Sequence, residues 1–358
     1  MRKNATLLLF SLCLLSFYSQ SQGRLERKEM KAASLENNPA GESANRMVSV
    51  YLPPGYDKSG TRYPVIYFLH GFSTSDTDIT GWFQLQKMMD SAISAGHTRP
   101  VIVVVPNSDT KYRGSFYTNS SMGNWADYIT KDLVNWVDQQ YRTLPSASNR
   151  AITGHSMGGN GSLKLAMQNP QVFSMVYALS PAVLNWHGDF NLNNSAFKRL
   201  SKLQADPNLK NAVDSIYKED NWQSFYSGVY AAMGIAYTPD PSRKAFPVAF
   251  PVTYIGDSAV YHPDRIQKWE DNFPYFMIDN HLVQLKKLKA IKLDWGRNED
   301  FAHIPVTALA FSKKLEAYGI EHEAEEYIGD HGNRIGGFQG RFFTEVLPFF
   351  ERNWSQKQ

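Results

Sequence analysis

The chain has 358 residues, of which 42% are hydrophobic and 20% charged, and its formal net charge is +3. This length allows one large core, and one α/β domain with an insertion is as reasonable as two domains. The basic residues are scattered, so the sequence lacks the electrostatic footprint of a nucleic-acid-binding protein and predicts no nucleic-acid partner. The sequence makes no prediction of oligomeric state.

Residues 1–22 have the pattern of a secretory signal peptide. Arg2 and Lys3 precede an uncharged apolar run at residues 6–17, which is short for a membrane span. We therefore expect a secreted or periplasmic protein, without stable membrane insertion after signal removal. Cys13, the single cysteine, lies in this segment, so the mature chain would contain neither a thiol nor a disulfide.

Residues 23–45 are polar and charged, and we predict that they form a linker to the first strand. From residue 46 onward, strand-like and helix-like segments alternate. Strands are predicted at residues 46–52, 63–69, 101–105, 172–179, 290–295 and 321–328, and helices at residues 82–95, 124–141, 304–318 and 338–354. Apolar strands that alternate with helices indicate an α/β fold, with a mostly parallel central sheet and helices on both faces.

The alternation stops between about residues 182 and 287. Two aromatic and mostly helical-looking stretches, at residues 193–232 and 263–288, flank a proline-rich passage at residues 239–251. A connection of this length inside a compact domain is usually functional. We therefore predict a catalytic domain at residues 46–358, with an inserted and mainly helical cap over its active site.

The motif Gly154-His155-Ser156-Met157-Gly158 lies between a short apolar run and a helix-like stretch. A strand, a sharp turn and a helix form the context in which Gly-x-Ser-x-Gly presents a serine nucleophile. The glycines keep side chains out of a turn that is too tight for Cβ atoms. Ser156 is therefore the predicted nucleophile, and a glycine-rich loop without chemistry is the weaker interpretation.

A serine hydroxyl needs an imidazole to accept its proton and a carboxylate to orient that imidazole. After a motif of this kind, the acid and then the histidine follow along the chain. His331 is the histidine that follows the last predicted strand, in a glycine-flanked loop, and is the predicted base. Glu299 and Asp300 both follow the preceding strand, and the residues by themselves leave open which of them is the acid.

An oxyanion hole needs two backbone N–H groups directed at the developing negative charge. We predict that one belongs to Met157, which follows the nucleophile, and the other to Phe72, in the loop after the strand at residues 63–69. His70, at the end of that strand, is expected to shape this loop. No two histidines have a close metal-ligand spacing, so neither a metal nor another cofactor is predicted.

Further segments carry a family resemblance, at residues 50–56, 63–71, 114–117, 131–133, 150–159, 296–301 and 329–332 and at Tyr141. Together they resemble the putative esterase family that includes feruloyl esterases, esterase D (S-formylglutathione hydrolase) and the antigen 85 mycolyltransferases. The resemblance implies an α/β-hydrolase fold and a cofactor-independent serine hydrolase of esters, with Ser156 as nucleophile and His331 as base. The position of the acid in these families favours Glu299 over Asp300.

The leading hypothesis is a secreted carboxylic-ester hydrolase that removes acyl groups, feruloyl or acetyl, from carbohydrate. Tyr117 and Trp186, and Trp222 and Phe225 in the cap, are candidates for stacking on a substrate ring, although ordinary packing is the favoured role for each. An acyltransferase with the same triad is one alternative. An exported binding protein with a vestigial triad is another, and the filled triad positions argue against it.

Overall fold

A mostly parallel sheet is the centre of the computed structural model, which describes residues 22–354. The strands of this part of the chain are β1 (Arg24–Lys31), β2 (Asn45–Leu52), β3 (Val65–Leu69), β4 (Ile102–Pro106), β5 (Asn119–Ser120), β6 (Gly123–Asn124), β7 (Arg150–His155), β8 (Met175–Leu179), β9 (Val252–Ile255), β10 (Ser258–Tyr261), β11 (Ala290–Gly296) and β12 (Glu323–Tyr327). Eight of them form the main sheet, in the order β1-β2-β4-β3-β7-β8-β11-β12. Neighbours from β4 to β12 pair in parallel, whereas β2 is antiparallel to both β1 and β4.

Helices cover both faces of this sheet, as predicted. In the described residues they are α1 (Asp76–Phe83), α2 (Leu85–Ser94), α3 (Trp125–Asp127), α4 (Val134–Gln140), α5 (Met157–Gln168), α6 (Ala196–Ala205), α7 (Ala212–Ile216), α8 (Trp222–Tyr237), α9 (Pro263–Glu270), α10 (Pro274–Asn280), α11 (Leu282–Leu285), α12 (His303–Ala317) and α13 (Leu347–Asn353). Strand β3 separates two cores. Val65, Tyr67 and Leu69 pack into one core, and Ile66 and Phe68 pack into the other, because successive side chains point to opposite faces of a sheet.

Two predicted helices are interrupted. The predicted helix at residues 82–95 falls on α1 and α2, which meet at Gln84, where the backbone is left-handed with φ of 48°. A π-helical turn, Tyr128–Leu133, joins α3 to α4, and a second one, Phe342–Val346, precedes α13. No helix within residues 22–354 is both long enough and apolar enough to cross a membrane.

Residues 23–45 are not a linker, and this prediction is wrong. Arg24–Lys31 form the edge strand β1, which pairs with β2 along its whole length. A polar edge strand resembles a linker in sequence, because most of its side chains lie in solvent. Arg27 fixes the strand, since its guanidinium donates to both carboxylate oxygens of the fully buried Asp76 at 2.7 and 3.0 Å. Apart from residue 22, the predicted signal peptide lies outside the described residues.

The cap segment, residues 182–287, contains helices α6 to α11 and the β9–β10 hairpin. An aromatic cluster forms its core. Within this cluster, the ring of Trp186 stacks on the rings of Phe190 and Trp269, with centroid separations of 5.1 and 5.8 Å. Helix α8 and the start of the cap segment, at Ala182, Val183 and Phe190, reach the site described below.

Candidate active site

Ser156 stands on a sharp turn between β7 and α5. Its backbone has φ of 59° and ψ of −117°, a conformation that is strained for a residue with a side chain. The turn depends on glycine, since a Cβ atom at Gly158 would clash with the carbonyl of Leu69, and one at Gly154 would clash with the carbonyl of Gly158. The close approach of three backbone segments therefore forces Ser156 outward at the carboxyl end of β7.

His331 and Glu299 form a hydrogen-bonded pair. The Nδ1 atom of His331 lies 2.7 Å from Oε2 of Glu299, whose side chain is fully buried. The other carboxylate oxygen accepts the backbone N–H of Gly296 at 3.4 Å. Because a carboxylate oxygen accepts in this hydrogen bond, Nδ1 is the donor and Nε2 retains a lone pair. Asp300 is exposed, so Glu299 is the acid that contacts His331.

His155 connects the serine turn to the loop of His331. Its Nε2 atom lies 2.7 Å from the backbone oxygen of His331, and the two imidazole rings are 4.6 Å apart. Burial, and then the proximity of His331, lower the pKa of His155 to about 3, so the ring is neutral. A carbonyl only accepts, so Nε2–H of His155 donates. His155 thus holds the loop of His331 against the serine turn. The sequence did not predict this role, although His155 lies inside the serine motif.

Ser156 opens into an apolar pocket. The pocket is lined by Ser156 together with Phe72, Phe116, Met157, Ala182, Val183, Phe190, Phe225, Tyr226, Val229, Phe301 and His303. Six of these residues belong to the cap segment, and three of the six, Phe225, Tyr226 and Val229, lie on α8, so the cap forms a large part of the pocket wall. The ring of His331 packs edge-on against Phe301, with a centroid separation of 4.7 Å, which places the Glu299–His331 pair next to this pocket.

Phe72 and Met157, the predicted oxyanion-hole residues, both line the pocket of Ser156. Within residues 22–354, neither of their backbone N–H groups donates a hydrogen bond to another protein group. His70 holds the loop of Phe72. Burial lowers the pKa of His70 to about 4, and the neutral ring accepts the N–H of Ser108 at 2.8 Å and donates to the oxygen of Gly71 at 2.9 Å.

A comparison with models of protein families identifies the family of this chain. A family model with the description "Putative esterase" matches residues 43–349. The chain belongs to the putative esterase family. This result confirms the resemblance inferred from the sequence, and it confirms the classification as a serine esterase at the level of the family.

A curated relative and two solved structures are also similar to this chain. An esterase of Mycobacterium tuberculosis is 35% identical over 127 residues, which are 34% of this chain and 26% of that protein. The match therefore spans about a quarter of the length of that relative. A ferulic acid esterase superimposes with a TM-score of 0.61 and 16% identity, covering 93% of this chain and 99% of its own. An S-formylglutathione hydrolase from Staphylococcus aureus superimposes with a TM-score of 0.56 and 15% identity, covering 94% and 100%. These likenesses confirm the α/β-hydrolase fold.

Two aromatic residues that were predicted to contact the substrate, Tyr117 and Trp186, instead pack inside the protein away from the pocket. Tyr117 is fully buried, its hydroxyl donates to the oxygen of His70 at 2.8 Å, and its ring packs against Gly161. Trp186 lies in the aromatic cluster of the cap, and its indole N–H donates to Glu270 at 3.2 Å. Neither side chain lines the pocket, so their assignment as substrate-binding residues is wrong. The packing role that was favoured for both is the one they have.

A second histidine–carboxylate pair lies on the wall of the pocket. Oδ1 of Asp189 accepts the backbone N–H of His303 at 2.7 Å and lies 3.0 Å from its Nδ1. The hydroxyl of Tyr226 donates to the other oxygen. Burial alone would raise the pKa of Asp189, but the hydrogen bonds from His303 and Tyr226 lower it to about 2. Within residues 22–354, no group of three or more metal-binding side chains is arranged around a common point.

Proposed function

We propose that this protein is a secreted serine hydrolase of carboxylic esters, acting on acyl groups attached to carbohydrate. The observation that carries the proposal is the buried Glu299–His331 hydrogen bond beside the strained turn that presents Ser156. Together, these residues supply a nucleophile, an acid and a base, in the order expected along the chain. The signal-peptide pattern at residues 1–22 supports export.

In the proposed mechanism, Oγ of Ser156 attacks the ester carbonyl while Nε2 of His331 accepts its proton. Glu299 stabilises the resulting imidazolium and keeps its orientation. The amides of Phe72 and Met157 are free to donate to the oxyanion of the tetrahedral intermediate. Collapse of this intermediate breaks the C–O bond, and His331 returns the proton to the departing alcohol. Water then attacks the acyl-serine with the same base, which releases the acid and restores Ser156.

The pocket supports an apolar acyl group. Most of its lining consists of phenylalanine rings and aliphatic side chains, which bind a flat apolar group by burial and ring contacts. This apolar lining is compatible with both acyl groups predicted from the sequence, feruloyl and acetyl.

A polar crevice next to the pocket supports a carbohydrate as the alcohol. Phe225 lines both sites, and the crevice is also lined by Ser73, Arg113, Tyr217, Glu219, Asp220, Asn221 and Ser224. The guanidinium of Arg113 lies 3.8 Å from the centroid of the Tyr217 ring. The Ser224 hydroxyl is buried, with no hydrogen-bond partner among the described residues. Such a mixture of donors and acceptors is suited to a polyhydroxylated group.

The decisive experiment is the replacement Ser156→Ala. We expect it to abolish hydrolysis of p-nitrophenyl acetate and methyl ferulate, and to abolish labelling by a fluorophosphonate probe. Ser242→Ala, at an exposed serine of the cap, is the matched control and should retain labelling and both activities. Ester hydrolysis that persists in folded Ser156→Ala would refute the proposal.

A further inference from the structure

A second cleft lies between the cap segment and the rest of the protein, and Ser156 is not part of its lining. Its volume is about 480 Å³, which is in the range of sites that bind small molecules. Four of its lining residues are cations and none is an acid. The cations are Lys111, Lys210, Arg243 and Lys244. The proposed mechanism uses none of them.

The fold brings these four cations together from distant parts of the sequence, although the formal net charge of the whole chain is only +3. The ammonium of Lys111 donates to a backbone carbonyl at 2.6 Å, and Arg243 forms an ion pair with Asp240 at 2.8 Å. Within residues 22–354, the ammonium groups of Lys210 and Lys244 have no hydrogen-bond or ion-pair partner. A cleft lined by one sign of charge concentrates ligands of the opposite sign. The cleft is therefore suited to an anionic ligand.

The loop at residues 239–248, which carries two of the cations, has a defined backbone. The N–H of Asp240 donates to the oxygen of Pro247 at 2.9 Å, which closes the base of the loop. The ring of Phe246 stacks on the ring of Tyr112 with a centroid separation of 6.1 Å. Because Tyr112 lies outside the cap segment, this contact holds the cap loop against the other wall of the cleft.

Four consecutive residues lead from this cleft to the active site. Lys111 and Tyr112 line the cleft, and Arg113 lines the polar crevice. Gly114 lies against the ring of Phe72, in the apolar pocket. Consecutive Cα atoms are about 3.8 Å apart, so the Cα atoms of Lys111 and Gly114 are separated by at most about 12 Å. A polymer that has an ester group in the active site can therefore reach the cleft with a few of its monomer units.

We propose that the cleft binds carboxylate groups of an acidic polysaccharide whose ester group is cleaved at Ser156. This inference rests on the proposed function, in which the substrate is an ester of carbohydrate, and it adds the class of carbohydrate. The remaining lining of the cleft includes four apolar side chains and three prolines. A uronic acid has an apolar ring face as well as a carboxylate, whereas a free inorganic anion has only the charge.

A solvated surface is the competing explanation for the four cations, because exposed lysines and arginines are common on proteins. The two explanations differ in one measurable way. If the cleft is a binding site, affinity for an acidic polysaccharide depends on the lysines that line it. If the cations are only solvated, that affinity depends on the total charge of the protein, and lysines elsewhere have the same effect.

The test measures binding to Ser156→Ala by calorimetry, so that no turnover occurs. The three ligands are oligogalacturonate, a neutral xylo-oligosaccharide of the same length and single-stranded DNA of the same length. Oligogalacturonate should bind more tightly than either of the others, and about tenfold more tightly than the neutral oligosaccharide.

Charge reversal at the cleft supplies the variant. Lys210→Glu combined with Lys244→Glu should weaken the binding of oligogalacturonate by on the order of tenfold, because two attractions become repulsions. Lys286→Glu combined with Lys287→Glu is the matched control. It changes the net charge by the same amount at exposed lysines that do not line the cleft, and affinity should stay within about twofold.

Three outcomes would overturn the inference. They are equal affinities for the acidic and the neutral oligosaccharide, an equal loss of affinity in the two double variants, and DNA binding as tight as that of oligogalacturonate. The last result would assign the cleft to a different class of macromolecule.

A second measurement needs no cleft variant and covers one that does not fold. Added sodium chloride should weaken the binding of oligogalacturonate and leave that of the neutral oligosaccharide unchanged, since salt screens exposed charges. Equal salt effects on the two ligands would refute the inference. Hydrolysis by wild-type enzyme is measured separately. Absent hydrolysis together with binding that depends on Lys210 and Lys244 would overturn the proposed function while supporting anion binding in the cleft.

Discussion

The pair of adjacent carboxylates at positions 299 and 300 allows a sharp test of the triad. Glu299→Gln keeps the size of the side chain but removes the charge that faces His331. Asp300→Asn makes the same chemical change one residue later, on an exposed side chain. The structure assigns only Glu299 to the histidine, so the two variants should differ strongly.

The expected size of the effect follows from the burial of Glu299. Its side chain has no exposed surface and lies 2.7 Å from Nδ1 of His331, so solvent does not replace the missing charge. The neutral amide also permits the wrong tautomer, in which the proton sits on Nε2 and the imidazole cannot act as a base. The same change in a well-studied serine protease lowers kcat by about 10⁴. We expect a loss of roughly 10³- to 10⁴-fold, or about 4–5.5 kcal/mol of transition-state stabilisation.

The assay is steady-state hydrolysis of p-nitrophenyl acetate by the two variants and by wild-type enzyme, with circular dichroism to check folding. Asp300→Asn should remain within about twofold of wild type, as is usual for a change at an exposed site. The reasoning fails if folded Glu299→Gln loses less than about tenfold, or if Asp300→Asn loses as much as Glu299→Gln.

Three further predictions concern stability. Gly158→Ala places a Cβ atom against the backbone of β3 and should lower the free energy of unfolding by about 3 kcal/mol or more. Gly60→Ala is the control, because open space surrounds Gly60, and it should change the free energy of unfolding little. Similar melting temperatures for the two variants would contradict this prediction. Arg27→Ala leaves the buried Asp76 carboxylate without its guanidinium and should cost about 1–3 kcal/mol in urea unfolding, so an unchanged midpoint would count against the role given to β1. Burial lowers the pKa of Lys164 from 10.5 to about 7. Between pH 7 and pH 10 the unfolded chain therefore binds more protons than the folded chain, so the free energy of unfolding should rise with pH over this range. Lys164→Met should lose this rise, and an equal rise in both proteins would contradict the assignment.

The serine turn was predictable because its requirements are local. A tight strand–turn–helix connection demands glycine at particular positions, and those glycines stand within two residues of Ser156. The position of the His331 loop beside the serine turn was predictable for a related reason, since the order of elements in a parallel sheet fixes which loop lies there. The choice between Glu299 and Asp300 followed from family resemblance, because adjacent residues in a turn differ only in where their side chains point.

The missed features depend on contacts that are distant in sequence. The partner of His303 is Asp189, 114 positions away, and no spacing rule connects them. Tyr117 stands in a polar and aromatic loop that looked like a surface above the sheet, but Lys164 and Gly161 draw this loop against α5. Strand β1 was missed because pairing with β2, rather than an apolar pattern, holds it in the sheet.

The start of β1 has a practical consequence for expressing the protein. The backbone N–H of Gly23 donates to Asp90 at 3.0 Å, and a Cβ atom at this position would overlap both Asp90 and the ring of Tyr51. Residue 23 therefore tolerates no side chain without displacing its neighbours. Residues that an expression vector adds, such as serine or methionine, should therefore precede Gly23 and be separated from it by a flexible spacer, rather than replace it.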